Sequence, residues 1–394
     1  MNIKAAFIYH SDELNYRFTE AHPFNQKRLS LTVDLLKHSH ALPDQAILAP
    51  RMATLEELNL VHSEEYIAAV RGLSENPPNG IWLHQAEKFG LQSEDTPYFT
   101  NMHEVTSRVV GGSLSAAEAV MSGEREHALH LGGGLHHALP NKAAGFCVYN
   151  DASIVIAYLR NHHHARVLYI DTDVHHGDGV QWTFYSNPDV CTFSIHETGK
   201  FLFPGTGSAG ERGIDLGFGT SINIPVEPYT EDDSWLECFQ TSLCKLIATF
   251  SPDVIVSQHG CDAHAFDPLA HIHCSMNIYL QMPKLIHELA HTYCNGRWIA
   301  LGGGGYDIWR VVPRAWSLLW LTMTDHPLLA AIEGRGDTPL PTSWLQHWQS
   351  QSPVPLPTTW LDSMDAWEPM PRRKQITEQN KQMLAIAMLY LTKP

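Results

Sequence analysis

A chain of 394 residues that is 44% hydrophobic and 10% aromatic has ample material for a large core, and an α/β fold of this length stands as a single unit. Its formal net charge of -16 lacks the basic footprint that general nucleic-acid binding requires, and suits cationic partners such as lysine-rich tails or polyamines. Seven scattered cysteines (Cys147, Cys191, Cys238, Cys244, Cys261, Cys274 and Cys294), with no CxxC pair, argue against a disulfide framework.

The opening "MNIKAAFIYHSDE" has too short an apolar run for a signal peptide, and no window reads as transmembrane, so a cytoplasmic protein without a membrane partner is expected. Short apolar runs then follow in order: "AAFIY" near the start, "HALHLGGG" at 127, "RVLYIDTD" at 166, "VCTFSIH" at 190, "DVIVSQHG" at 253 and "RWIALGGGG" at 297. Their near-continuous hydrophobicity predicts strands buried on both faces of a parallel sheet. Between them lie helical patterns, "VVGGSLSAAEAVMSG" from Val109 and "NDASIVIAYLRN" from Asn150, the second opening on two capping residues, Asn150 and Asp151. The fold class is α/β, an open, mostly parallel multistranded sheet with helices on both faces. Ligands of such sheets bind beyond the carboxyl ends of the strands, so the loops after 131, 171, 195, 259 and 301 are expected to share one surface. From about 336 the composition turns to proline and tryptophan. The chain therefore divides into a main domain, 1–335, and an extension, 336–394, read as an extended segment wrapped over the domain and ending in a helix packed on it.

The chemistry concentrates in three of the loops. In "IDTDVHHGDG" the residues Asp171, Asp173 and His175 are spaced by two, which places their side chains on one side if strand geometry persists. Asp173 and His175, joined by Asp262 from "SQHGCDAH", supply two carboxylates and an imidazole, a metal-ligand set that leaves an open position. In "LGGGLHHALP" the adjacent His136 and His137 gain fixed tautomers and raised basicity if Asp171 and Asp178 face their far nitrogens. The run "LGGGGYD" matches neither GxGxxG nor a P-loop, which excludes a nucleotide site, and presents the Tyr306 phenol as an oxyanion donor.

Taken in order, "HPFNQKRL" at 22, "VHSEEYI" at 61, "GFCVYNDA" at 145, "DTDVHHGDGVQ" at 171, "FPGTG" at 203, "GCDAH" at 261 and "GGGGYD" at 302 resemble the histone deacetylase family of zinc-dependent amidohydrolases, and within it the bacterial acetoin-utilization type. The resemblance implies an arginase-like fold and a zinc ion, or iron(II) in the cell, held by Asp173, His175 and Asp262. It implies that His137 is the general base and then acid, that His136 is the electrostatic partner, and that Asp178 and Asp171 orient these two histidines. Tyr306 would polarise the acetyl carbonyl. Gly145, Phe146 and Phe203 would line a tunnel for the lysine stem, Asp95 would hold the substrate backbone at the rim, and Leu269 and Gly304 would complete the substrate wall. Arg28 matches the arginine of an internal acetate channel. Structural potassium would be bound by Asp171, Asp173, His175, Ser194 and Ile195, with a second potassium near Phe184, Asn187 and Val190.

The implied substrate is an acetylated lysine in a protein or peptide, or an acetylated polyamine. Relatives that prefer polyamines carry an acidic gatekeeper where this chain has Leu269, which favours acetyl-lysine, whereas the acidic net charge leaves polyamines open. Two other readings stand beside it: an arginase-type ureohydrolase, which needs a two-metal cluster, and a non-catalytic acyl-lysine binder. The run "NHHHAR" at 161 is read as a solvated connection, and His38, His40, His271, His273, His287 and His291 as surface or satisfied core residues.

Overall fold

The computed structural model describes residues 4–364, 367–389 and 391. Its strands are β1 (Ala5–Ile8), β2 (Ile47–Leu48), β3 (His127–His130), β4 (Val167–Asp171), β5 (Val190–Glu197), β6 (Ser221–Val226), β7 (Val254–Gln258) and β8 (Trp298–Leu301). They form one eight-stranded sheet in the order β2-β1-β3-β8-β7-β4-β5-β6. Every pairing is parallel.

The unbroken apolar runs follow from this geometry. Successive side chains of a strand point to opposite faces, and here both faces are covered. In β8, Trp298 and Ala300 enter one core while Ile299 and Leu301 enter the other, and in β4 Leu168 and Ile170 oppose Val167 and Tyr169. Helices Lys27–His38, Asp232–Phe250, Met276–Tyr293 and Val312–Met323 cover the first face, and Glu64–Leu73, Met102–Met121 and Asp151–His163 cover the second. The helix expected from Val109 begins at Met102, and the one expected after Asn150 is capped as read, Asn150 Oδ1 accepting from Ser153 N at 2.8 Å.

Two strands escaped the sequence reading, both at sheet edges. β2 has only two residues, and β6 reads "SINIPV", with a proline that an edge strand tolerates because its outer N–H is not needed for pairing. The segment after 336 also differs from a simple extended wrap, since Thr342–Trp348 forms a helix that places Trp344 and Trp348 on one side. Trp344, Trp348, Trp360 and Leu384 bury into the core shared with the strands. Trp344 Nε1 donates to Leu31 O at 3.2 Å and Trp348 Nε1 to Asp34 Oδ2 at 2.6 Å. The cysteines are all free, and six of the seven are buried.

Asp362 ties this segment down. Its carboxylate accepts from Arg314 Nη2 at 2.9 Å, from His264 Nε2 at 2.9 Å and from Met276 N at 2.8 Å, and the Arg314 side chain is 1% exposed. Burial opposes ionisation here, but His264 and Arg314 outweigh it and hold the Asp362 carboxyl well below the usual carboxylate range. Removing one partner of a buried pair strands the other charge, so Asp362→Ala should cost about 3 kcal/mol of unfolding free energy in denaturant at neutral pH. The folded pKa lies below the unfolded one, so this contribution is present above about pH 4 and fades as pH falls. The gap between wild type and variant should accordingly narrow in acid. An undiminished gap would show that the pair is not its source.

Candidate active site

The four central strands, β3, β8, β7 and β4, lie side by side, and the loops at their carboxyl ends meet in one crevice. The β4 loop carries Asp171, Asp173 and His175. Strand geometry does not persist through them, because β4 ends at Asp171. The spacing of two has another origin. Asp171 Oδ1 accepts from Asp173 N at 3.2 Å, and Asp173 Oδ1 accepts from His175 N at 3.0 Å. These are successive turns in which an aspartate bonds the backbone two residues on, and they present the three groups together.

From the β7 loop, Asp262 completes the cluster. His175 Nδ1 lies 3.1 Å from Asp173 Oδ1 and 3.0 Å from Asp262 Oδ2, and the ligand atoms of all three residues lie within 4.8 Å of one another. Asp173 and Asp262 are 1% and 0% exposed, and among the described residues neither is ion-paired to a lysine or arginine. Two carboxylates converging on one imidazole nitrogen in the interior call for a shared cation. Ligands about 2.0–2.1 Å from a tetrahedral ion sit roughly 3.3 Å apart, close to the spacing observed. The residues present therefore fit a divalent metal. Burial and the Asp173 charge push Asp262 up to about 6, and although burial opposes charge on His175, both carboxylates raise its pKa well above the usual imidazole value.

The β3 loop places the two histidines beside this cluster. His136 Nδ1 lies 2.8 Å from Asp171 Oδ2, and His137 Nδ1 lies 2.7 Å from Asp178 Oδ1, their rings 4.0 Å apart. Burial works against charge on both. On His136 it is outweighed by Asp171 and Asp173, which raise the pKa to about 9. On His137 burial prevails, helped by the neighbouring His136, and lowers it to about 4. The two adjacent groups are thus shifted in opposite directions, the pattern that separates an acid from a base.

A cavity of about 220 Å³ opens onto this floor, lined by Asp95, His137, Gly145, Phe146, His175, Leu202, Phe203, Leu269 and Tyr306. The Phe146 ring meets Tyr306 edge-on at 5.6 Å, and Phe203 meets His137 at 5.0 Å. Gly145 (φ 52°) passes so close to His137 that a Cβ would stand 2.4 Å from the imidazole Cδ2. Burial, with Asp262 and Asp173, holds the Tyr306 phenol well above its usual pKa, so it remains a donor. Gly304 lies behind this wall rather than on it. Its N–H donates to Asp173 Oδ2 at 2.7 Å, and a Cβ there would stand 2.1 Å from Asp262 Oδ2.

Arg28 is buried behind the glycine run, donating to Gly305 O at 3.1 Å with Trp316 beneath its guanidinium. Of the potassium candidates, Asp171 and Ser194 are register partners on β4 and β5, and Ile195 follows. Phe184 and Asn187 close one turn, Asn187 N donating to Phe184 O at 2.9 Å, and Val190 opens β5 three residues on. His162 to His164 are exposed at the end of the Asp151–His163 helix, as a solvated connection should be.

Several supporting residues were missed. Gln258 Nε2 donates to Asp173 Oδ2 at 2.8 Å, and Leu202 joins the cavity wall. Asp151, read as a cap, instead accepts from Gly134 N and Leu135 N at 3.0 and 2.8 Å, fixing the loop that carries the two histidines. Only the proximity of "QHGCD" to the cluster hinted at Gln258, and no local pattern marked Asp151 as a loop anchor.

Comparison with known proteins agrees with this architecture. A family model described as histone deacetylase domain matches residues 22–323, and the chain belongs to that family. It is 51% identical over 389 residues to the acetoin utilization protein AcuC of Bacillus subtilis (strain 168), covering 98% of this chain and 96% of that protein. It is 46% identical to the AcuC protein of Staphylococcus aureus (strain MRSA252), covering 98% and 97%. A solved structure of an HDAC homolog complexed with SAHA superimposes with a TM-score of 0.82 at 28% identity, over 97% of this chain and all (100%) of that one. An HDAC homolog from Aquifex aeolicus gives 0.79 at 27%, over 96% and 100%.

Gln258→Leu removes the side-chain donor that orients Asp173. Loss of such an outer partner typically costs roughly 10–100-fold in metal affinity, and zinc titration against a chelating dye should show a weakening of that order. Unchanged affinity would mean that the amide does not position the ligand.

Proposed function

We propose that this chain is a metal-dependent deacetylase that hydrolyses the amide of acetylated primary amines, with the ε-amine of lysine in a protein or peptide as substrate and zinc, or iron(II) in the cell, as the ion. The observation that carries the reading is the pair of oppositely tuned histidine–aspartate couples beside the Asp173, His175 and Asp262 cluster on the floor of a narrow cavity.

A divalent ion held by those three residues would supply Lewis-acid polarisation and lower the pKa of water. The remaining work falls to the chain. His137, neutral and with Nδ1 committed to Asp178, offers Nε2 as general base. It takes a proton as the water oxygen bonds to the acyl carbon, then returns one to the amine nitrogen as the C–N bond breaks, releasing acetate. His136, cationic at neutral pH, stabilises the negative charge that develops. Tyr306 donates its phenolic proton to the oxyanion, a role worth ~10²–10³ in rate. Phe146 and Phe203 flank the apolar stem of the lysine, Asp95 meets the substrate backbone at the rim, and Leu269 supplies an apolar wall. Arg28 would receive the acetate behind Gly305. Structural potassium at the paired Asp171 and Ser194 belongs to the same reading.

The ureohydrolase reading asks for a second metal beside the first. Asp267, the further aspartate of "DAHAFD", accepts from Tyr306 N at 2.8 Å and Leu269 N at 3.0 Å, and among the described residues it joins no group of converging metal-ligating side chains. Zinc-loaded protein should release acetate from an acetyl-lysine peptide, chelation should abolish the release, and Tyr306→Phe should lower it by about 10²–10³. Release from acetylspermidine alone would move the substrate to polyamines. No release from either by metal-loaded protein would overturn the deacetylase reading.

A further inference from the structure

At the opposite end of the sheet three histidines meet that the crevice does not use. His127 is the first residue of β3, and His287 and His291 sit four residues apart on helix Met276–Tyr293, hence on one face. Their ring centroids lie 4.8, 5.1 and 4.7 Å apart. His287 Nε2 is 3.0 Å from His127 Nε2 and 3.1 Å from His291 Nε2, and one ligand nitrogen from each ring falls within 4.8 Å of the others.

Hydrogen bonding alone does not account for this arrangement. A ring nitrogen carries either a hydrogen or one in-plane lone pair, never both. His287 Nε2 therefore has a single bonding direction for two neighbours at hydrogen-bond distance. Packing alone would not bring three nitrogens, rather than ring carbons, to one point. A metal ion resolves the conflict by accepting all three lone pairs, and its ligand nitrogens would stand roughly 3.3 Å apart. Burial, then the neighbouring His287 and His291, lower the His127 pKa to about 3, and burial lowers that of His287. His287 Nδ1 has the exposed carboxylate of Asp325 at 3.9 Å, an ion-pair distance rather than a hydrogen bond. His127 is buried, His287 half-buried and His291 exposed, so one side of the cluster stays open to solvent.

We propose that His127, His287 and His291 form a second metal site, for a borderline divalent ion of the zinc, cobalt or nickel class, which clamps helix Met276–Tyr293 to the start of β3. Imidazole-only ligation suits these ions and disfavours magnesium and calcium. The site stands apart from the crevice, so the proposal does not rest on the deacetylase reading.

The test is a zinc count on full-length protein, reloaded and freed of loose ions, for wild type and for the variant His287→Ala/His291→Ala. Wild type should hold one more zinc per chain than the variant, whatever the crevice binds, and excess zinc should raise its Tm by more. Acetate release, if present in wild type, should survive in the variant. His291→Ala alone, an exposed change that spares folding, should weaken the extra site by at least the roughly 10–100-fold cost of losing an outer partner. Equal counts in wild type and variant would overturn the proposal. So would an extra ion that disappears when His162, His163 and His164 are replaced and persists when His287 and His291 are.

Discussion

Two aspartates buried side by side, with no lysine or arginine paired to them among the described residues, set the terms for everything around them. Gly304 N, Gln258 Nε2, Val174 N and His175 all point at Asp173 and Asp262, and these contacts offset part of the cost of burying them. The glycine runs answer to the same need. A Cβ on Gly260 would stand 2.3 Å from Asp173 Oδ2, and one on Gly304 would stand 2.1 Å from Asp262 Oδ2. "HGCD" and "GGGGYD" are thus shaped by carboxylates arriving from other strands, and their glycines admit close backbone approach.

Much of the fold was legible because burial on both faces leaves a plain mark: six unbroken apolar runs correspond to β1, β3, β4, β5, β7 and β8. The other two left a weaker mark: β2 has two residues, and β6, though buried throughout, sets Ser221, Asn223 and Pro225 between its apolar residues. The site was legible as a set of residue types, yet the geometric argument for it was wrong in detail. Asp171, Asp173 and His175 converge through aspartate turns rather than through a pleat. Residues that act at one remove, Gln258 and Asp151, stayed hidden because their partners are distant in sequence: Gln258 to Asp173 spans 85 positions. The same distance hid the meeting of His127 with His287, 160 positions apart.

One imidazole chemistry is tuned in opposite directions within the molecule. Carboxylate neighbours lift His136 to about 9, burial beside a cationic neighbour drops His137 to about 4, and burial among other imidazoles drops His127 to about 3. Residue type alone distinguishes none of these. What differs is the company each ring keeps, even between neighbours on one loop such as His136 and His137.

The strand order also dictates when the crevice can exist. β3 and β4 are made early, but they never pair with each other; β7 and β8 fill the gap between them. While the ribosome is still short of Leu301, the half-made sheet has an open seam through its middle, with the edges of β3 and β4 unpaired. Such edges invite pairing with other chains, and closing them joins segments far apart in sequence, which slows folding. A nascent chain stalled before β8 would have to hold the β3 and β4 loops together by contacts outside the sheet, such as Asp151 with Gly134 N and Leu135 N, without the strands that lie between them.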